Sequence, residues 1–127
     1  MRLLVRNVRP VDGRGESPLG CVAVEDGRFA DAAAFAADPA KAPQPAAATA
    51  TVDGGGALLV PGFVDIHVHG GGGYDLCDGT EEALLGMCEA HLAHGTTTIY
   101  PTFVSEERET LARTMALFRT LRQRGRF

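Results

Sequence analysis

The chain has 127 residues, of which 45% are hydrophobic and 22% are charged, and its formal net charge is -4. These values are typical of a soluble globular domain, and a mildly acidic chain gives no reason to expect nucleic acid as a partner. The sequence predicts neither a membrane span nor a signal peptide, and its three widely spaced cysteines fit a reducing compartment, so we expect a cytoplasmic protein.

The first part of the chain predicts short strands. Residues 2–11 and 20–30 are rich in strand-forming residues, and Asp-Gly turn signals occur at 12–13 and 26–27. Residues 31–50 are rich in alanine and proline, which predicts a loop. Strand-forming residues return after this segment. The chain therefore begins with a small β-rich module that contains a long, tolerant loop.

The stretch "PGFVDIHVH" predicts a strand that carries a candidate metal site. Alternation puts Asp65, His67 and His69 on one face of this strand. The two imidazoles can bind one ion at the C-terminal end of the strand, because neutral imidazole is a good ligand for zinc and similar metals. Asp65 lies one step deeper on this face, and a carboxylate behind a ligating histidine commonly fixes its tautomer.

Four glycines, Gly70, Gly71, Gly72 and Gly73, follow the second histidine directly. Glycine lets the backbone approach a metal or a substrate without an intervening side chain, although a glycine run is also typical of a flexible loop. Tyr74 and Asp75 come next. They fit either the rim of a pocket or a loop anchor that leads into the following helix.

The segment "DGTEEALLGMCEAHLAHG" predicts the first helix. Asp78 or Thr80 can cap its N-terminus, and Gly95 can end it. His94 lies in its last turn, where it can interact with the helix dipole. Its predicted apolar face consists of Leu84, Leu85, Cys88, His91 and Leu92.

The residues "TTTIYPT" predict a second strand, and a second amphipathic helix follows with Ser105 as its predicted cap. The apolar face of this helix is predicted to contain Leu111, Met115, Phe118 and Leu121. The order strand, helix, strand, helix predicts a parallel sheet with helical crossovers. Two such units cannot close a barrel, so we expect this chain to be part of a larger domain.

The motifs "LLVPGFVDIHVHGGGGYDLCDGT" and "HGTTTIYPT" resemble the N-terminal region of the N-acetylglucosamine-6-phosphate deacetylases, a branch of the amidohydrolase superfamily. The Pro-Gly-x-x-Asp-x-His-x-His core is shared across that superfamily. The glycines with Tyr74 and Asp75, and the later His-Gly-Thr-Thr-Thr, are similar to the deacetylase branch. The resemblance covers essentially the whole chain and is weakest over residues 31–50.

The resemblance implies an α/β protein in two parts, a small β-sandwich and a (β/α)8 TIM barrel that carries the metal site. Residues 1–59 match the N-terminal part of the sandwich, and residues 60–127 match the first two βα units of the barrel. His67 and His69 match the metal-ligand pair of the first barrel strand. The other ligands of the family, and the aspartate that serves as its general base and acid, are expected beyond Phe127.

The implied reaction is hydrolysis of the acetamide of N-acetylglucosamine 6-phosphate with a divalent metal, zinc or iron, as cofactor. The implied partner is a small amino-sugar phosphate, and the parent protein is expected to be a homo-oligomer, a dimer. By this resemblance Gly70 to Gly73, Tyr74 and Asp75 are candidates for the substrate loop. The chain by itself is expected to be inactive.

Three alternatives stay open from the sequence. The chain can belong to another amidohydrolase, one that acts on a D-amino acid derivative or on a cyclic imide as dihydroorotases and hydantoinases do. It can be a non-catalytic fragment with a structural use. Cys77, Cys88, His91 and His94 can also be grouped as a structural zinc site, but their spacing lacks a Cys-x2–4-Cys pair and disfavours this interpretation. For His91, the favoured interpretation is core packing or a buried imidazole whose hydrogen bonds are satisfied.

Overall fold

The structure is a computed structural model that describes residues 2–30 and 50–126. The predicted loop over 31–50 therefore lies, apart from Ala50, outside the described residues. The strands are β1 (Arg2–Asp12), β2 (Gly15–Glu16), β3 (Gly20–Glu25), β4 (Arg28–Phe29), β5 (Ala50–Leu59), β6 (Phe63–Val68), β7 (Gly70–Gly71), β8 (Tyr74–Asp75) and β9 (Thr96–Pro101). The helices are a 3-10 turn (Leu76–Asp78), α1 (Glu81–Leu92) and α2 (Arg108–Gln123). The chain divides into two compact units, residues 1–61 and 62–127.

The first unit is a five-stranded sheet in the order β2-β1-β3-β4, with β5 also paired to β1. The predicted strands near both Asp-Gly signals are confirmed, and Asp26 and Gly27 form the turn between β3 and β4 with positive φ angles of 48° and 78°. β3 pairs antiparallel with β1, whereas β5 pairs parallel with it. Cys21, Val22 and Ala23 of β3 are buried and form the centre of this unit.

A bulge interrupts β1 at Asn7, where the register shifts against both β3 and β5 and φ is 54°. The amide of Asn7 donates to both carboxylate oxygens of Asp53 at 3.0 and 2.9 Å. The backbone N–H of Gly55 donates to the same carboxylate at 3.0 Å. Hydrogen bonds from Asn7 and then Gly55 hold the pKa of Asp53 below its usual value. The bulge is therefore held by polar contacts on an exposed surface.

The second unit contains the predicted strand–helix–strand–helix order, and β6 pairs parallel with β9 as expected. A parallel pair needs a crossover, which the hairpin of β7 and β8 and helix α1 provide. Its core consists of Val68, Leu76, Leu84, Met87 and Leu121. The arrangement of this unit is mixed α/β, and it brings the C-terminal ends of β6 and β9 together.

Of the two candidate caps of α1, Thr80 is confirmed, and the predicted buried face is confirmed in part. Thr80 is the N-cap, and its hydroxyl accepts a hydrogen bond from the backbone N–H of Ala83 at 3.1 Å. Ala83, Leu84 and Met87 are buried, whereas Leu92 of the predicted face is 60% exposed. Leu84 belongs to the predicted face and Cys88 of that face packs against the core, but periodicity alone did not predict the burial of Ala83 and Met87.

The predicted start of α2 was wrong. The helix begins at Arg108 with Glu107 as its N-cap, and no side chain caps it; Ser105 lies before it. The predicted apolar face of α2 is buried only in part, because Leu121 is fully buried whereas Met115 is 50% exposed. Thr114 is buried beside Leu121 and was not predicted, since threonine carries a polar group. In residues 2–30 and 50–126 no helix combines the length and the apolar character that crossing a membrane requires.

Candidate metal centre

The imidazoles of His67 and His69 meet just at the C-terminal end of β6. β6 ends at Val68, so His67 is the last residue but one of the strand and His69 is the first residue after it. The two Nε2 atoms are 3.0 Å apart, and the rings are nearly perpendicular, at 84°, with centroids 4.8 Å apart. The expectation that both side chains reach one point is therefore met geometrically, while their role as ligands stays a prediction.

Thr102 orients the ring of His69. Its backbone carbonyl lies 2.6 Å from His69 Nδ1. A carbonyl oxygen only accepts hydrogen bonds, so Nδ1 carries the proton and Nε2 of the neutral ring keeps its lone pair. The backbone N–H of Thr102 also donates to the carbonyl of Val68 at 2.7 Å. The end of β9 thus holds both the main chain and the ring next to the pair.

The two histidines fit a metal site in part. Two nitrogen ligands at about 2.0–2.1 Å from a tetrahedral zinc ion lie about 3.3 Å apart, which is close to the distance between these Nε2 atoms. The same short distance also suits a hydrogen bond from Nε2–H of His67 to Nε2 of His69. Within residues 2–30 and 50–126, no group of three or more His, Cys, Asp or Glu side chains is arranged to hold a metal. The described residues therefore offer two candidate ligands, one short of the usual minimum for zinc.

Asp65 contacts the main chain of the pair rather than a ring. Its Oδ1 accepts a hydrogen bond from the backbone N–H of His67 at 3.0 Å. Asp65 was expected to bond to a ring nitrogen of a ligating histidine. In His69, the carbonyl of Thr102 makes that contact with Nδ1 instead. A role for Asp65 beside a ligating ring stays a prediction, and its observed contact supports the backbone of β6.

The four glycines form a tight hairpin that packs on α1. β7 and β8 pair antiparallel, and Gly72 and Gly73 form the turn with φ angles of 64° and 88°, which suit glycine. A methyl group on Gly71 would lie 2.8 Å from Nε2 of His91, and one on Gly72 would lie 2.8 Å from Cβ of Ala90. These contacts explain the glycines by turn geometry and helix packing, while access of a substrate to this backbone stays a prediction.

Tyr74 and Asp75 have structural contacts of their own. The ring of Tyr74 covers Gly86 of α1, and its hydroxyl is 3.5 Å from Glu82 Oε1. The carboxylate of Asp75 accepts a hydrogen bond from the backbone N–H of Cys77 at 2.7 Å and caps the 3-10 turn. Both residues therefore serve as loop anchors, and a contact with a sugar stays a prediction.

The remaining histidines and cysteines do not form a second centre in the described part of the chain. His91 lies 3.0 Å from the carbonyl of Gly70, and His94 Nδ1 lies 2.8 Å from the carbonyl of Ala90. Burial raises the pKa of the Cys88 thiol, and desolvation followed by the nearby Asp75 raises that of Cys77. These shifts favour the protonated thiol over the thiolate that binds metals.

A cavity of about 710 Å³ opens elsewhere in the second unit, between α1, β9 and α2. Its walls are apolar apart from two threonines and three arginines, Arg119 and Arg122 of α2 and Arg126 after it, and neither His67 nor His69 lines it. This cavity is thus separate from the histidine pair. We assign chemistry to the pair because it has converging ligand atoms, which the cavity lacks.

Comparison with known proteins gives one family. The sequence profile of the amidohydrolase family matches residues 58–123. An N-acetylglucosamine-6-phosphate deacetylase of Lysinibacillus sphaericus is 27% identical over 106 residues, which are 84% of this chain and 25% of that protein. An imidazolonepropionase of Ralstonia nicotianae is 48% identical over 58 residues, which are 46% of this chain and 13% of that protein. The chain therefore spans about a quarter or less of these relatives.

Solved structures of deacetylases share the fold. The N-acetylglucosamine-6-phosphate deacetylase from Pasteurella multocida superposes with a TM-score of 0.80 at 21% identity, over 94% of this chain and 30% of that one. A mutant of the enzyme from Mycobacterium smegmatis, solved in complex with N-acetyl-D-glucosamine-6-phosphate, gives a TM-score of 0.66 at 29% identity. That alignment covers 97% of this chain and 30% of the other. Both units of the chain thus have counterparts in these deacetylases.

Proposed function

The chain belongs to the amidohydrolase family, and from that premise we propose that its site serves the metal-dependent hydrolysis of N-acetylglucosamine 6-phosphate to glucosamine 6-phosphate and acetate. The observation that carries the proposal is the convergence of His67 and His69 at 3.0 Å, with the His69 tautomer set by Thr102. The breadth of the deacetylase matches supports this substrate. The deacetylase of Lysinibacillus sphaericus and the solved deacetylase of Mycobacterium smegmatis match 84% and 97% of this chain, whereas the imidazolonepropionase matches 46% of it.

In this proposal β6 and β9 are the first two strands of a (β/α)8 barrel, residues 60–127 belong to it, and residues 1–59 belong to a β-sandwich. The parallel pairing of β6 and β9 and the helices that follow them support this assignment. The cytoplasmic location expected from the sequence and the homodimer that the resemblance implies are parts of the same proposal.

The described residues supply binding and orientation. His67 and His69 would hold a divalent metal, zinc or iron, through their Nε2 atoms. When bound, such a metal polarises a carbonyl oxygen and lowers the pKa of a coordinated water to about 7. Thr102 keeps the proton of His69 on Nδ1, so that the lone pair of Nε2 is available to bind the metal. Asp65 keeps the main chain of His67 in place. Proton transfer to the leaving amine falls to an aspartate outside this chain.

The first test replaces His67 and His69 with asparagine, singly and together, in the complete gene product that contains residues 1–127. Each ligand lost should lower the metal content per chain. It should also lower kcat/KM on N-acetylglucosamine 6-phosphate by about 100-fold or more. Even the mutation of a residue that only supports a ligand lowers metal affinity or activity by about 10–100-fold. His94→Asn is the matched control, because His94 is an exposed histidine bonded only within its own helix end. Unchanged metal content and rate in the double variant would reduce the pair to structural histidines.

The substrate is tested by comparing four compounds with the same protein: N-acetylglucosamine 6-phosphate, an N-acyl-D-amino acid, dihydroorotate and imidazolonepropionate. The proposal predicts the highest kcat/KM for the phosphorylated sugar. Preference for any of the other three would retain the family and reject the deacetylase branch.

A further inference from the structure

The environment of His69 is built by hydrogen bonds from three directions. Its ring donates to the carbonyl of Thr102 at 2.6 Å, and its own carbonyl accepts from the backbone N–H of Leu76 at 2.8 Å. The carbonyl of the next residue, Gly70, lies 3.0 Å from Nε2 of His91. Because a carbonyl oxygen only accepts, His91 must carry its proton on Nε2 in this contact. Of these three bonds, only the one from His91 brings in the side chain of another residue.

The glycine hairpin needs such an anchor. β7 and β8 contain two residues each, and a hairpin this short is marginally stable by itself. Its four glycines have no side chains to pack, and glycine loses more backbone freedom on ordering than any other residue. The hairpin begins one residue after His69, so disorder there would spread to the ring that faces His67.

His91 is suited to hold this hairpin. It is half-buried on α1, and that helix is fixed in the core by Leu84 and Met87, both of which are fully buried. A methyl group on Gly71 would lie 2.8 Å from Nε2 of His91, so the strand of the hairpin rests directly on the imidazole. The contact thus connects a rigid helix to the residue that follows His69.

We propose that His91 is a positioning residue for the histidine pair: by donating Nε2–H to the carbonyl of Gly70, it fixes the glycine hairpin and keeps the ring of His69 turned toward His67. His91 touches neither ring of the pair and acts through the backbone of Gly70. The consequence for metal binding rests on the proposed function, whereas the orientation of His69 does not.

Two substitutions separate the hydrogen bond from the bulk of the side chain. His91→Leu keeps much of the volume and removes the donor, and His91→Gln offers an amide N–H near the position of Nε2. His94→Leu is the matched control, since His94 directly follows the end of α1 and its ring bonds to the carbonyl of Ala90 rather than to the hairpin. Gly71→Ala approaches the same contact from the hairpin, because its methyl group would push the imidazole away.

The first measurement is the tautomeric state of His69, read from the 15N shifts of its ring nitrogens in the metal-free protein. His91→Leu should shift these signals away from the state protonated on Nδ1, and His91→Gln should restore them. His94→Leu should leave them unchanged. If the role of His91 is merely structural, His91→Leu should lower the melting temperature and leave the ring signals of His69 in the folded protein unchanged. If His91→Leu does not fold, Gly71→Ala must give the same shift for the proposal to stand.

The second measurement is the affinity for Co²⁺, followed by its absorption spectrum. His91→Leu should weaken binding by about 10-fold or more, the lower end of the effect of residues that support a ligand. His91→Gln should stay within about 3-fold of the unsubstituted protein. If the unsubstituted protein binds no Co²⁺, the proposed function fails, and the ring signals of His69 still decide the positioning role. Unchanged ring signals in both His91→Leu and Gly71→Ala overturn it.

Discussion

Thr114 of α2 is fully buried, and its hydroxyl has no hydrogen-bond partner among the described residues. A buried hydroxyl that loses water without gaining a partner costs about 1–3 kcal/mol. Thr114→Val removes this group and keeps the branched shape of the side chain. We therefore expect the free energy of unfolding to rise by about 1 kcal/mol, measured by chemical denaturation of the complete gene product.

Thr120 provides the control for this substitution. It lies on the same helix, and its hydroxyl donates to the carbonyl of Ala116 at 3.1 Å. Thr120→Val should leave stability unchanged or lower it slightly, because it removes a satisfied hydrogen bond. A Thr114→Val protein that is less stable than the Thr120→Val protein would show that the buried hydroxyl has a partner after all.

At the residue scale, the sequence was informative where the side chain itself carries the chemistry. The spacing of His67 and His69 on a strand predicted that their rings meet, and the two Nε2 atoms do lie 3.0 Å apart. The contribution of Thr102 could not be predicted in this way, since it acts through a backbone carbonyl that every residue possesses. His91 was interpreted as a core or hydrogen-bonded histidine, but its partner, the carbonyl of Gly70, depends on a hairpin geometry that no local pattern specifies.

At the scale of elements, the hairpin and α1 approach so closely that Gly86 has no room for a side chain. A methyl group there would overlap the ring of Tyr74. Alanine is otherwise favoured over glycine inside a helix by about 1 kcal/mol. We expect Gly86→Ala to destabilise the protein despite this propensity, because the aromatic ring must move and the hairpin with it.

A double-mutant cycle tests this explanation. Tyr74→Ala alone should cost stability because it removes a packed ring. In the Tyr74→Ala background, however, Gly86→Ala should become stabilising, since only its helix propensity remains. The thermal midpoints of the four proteins give the coupling. Equal effects of Gly86→Ala in both backgrounds would show that Tyr74 is not the obstacle.

The sequence predicted the order and type of the elements more reliably than it predicted which side of each helix is buried. Two strands and two helices of the second unit were predicted in the correct order, and Thr80 was one of the two residues predicted as a cap of α1. The start of α2 was placed at Ser105 because serine is a favoured cap, yet the helix begins at Arg108 without one. Which face of each helix is buried depends on packing partners, and the amphipathic pattern alone did not distinguish them.

At the scale of the whole molecule, the second unit leaves much apolar surface uncovered. In the described part of the chain, β6 and β9 pair only with each other, so each has a free edge. Phe63, Val64 and Ile66 of β6 are 61%, 60% and 74% exposed. Free edges and contiguous apolar surface favour association with other chains. The solved relatives, of which this chain covers about 30%, have further residues that can cover such surfaces.

We therefore predict the behaviour of a polypeptide that contains residues 1–127 and nothing else. It should be poorly stable or self-associating, because the apolar faces of β6 remain in water. It should bind zinc weakly, since His67 and His69 provide two ligands where three or four are usual. It should show no turnover of N-acetylglucosamine 6-phosphate. Light scattering after gel filtration, thermal unfolding, metal analysis and a deacetylation assay measure these properties. A monomer that melts cooperatively, with one metal per chain and measurable turnover, would contradict the prediction and show that these residues form a complete catalytic unit.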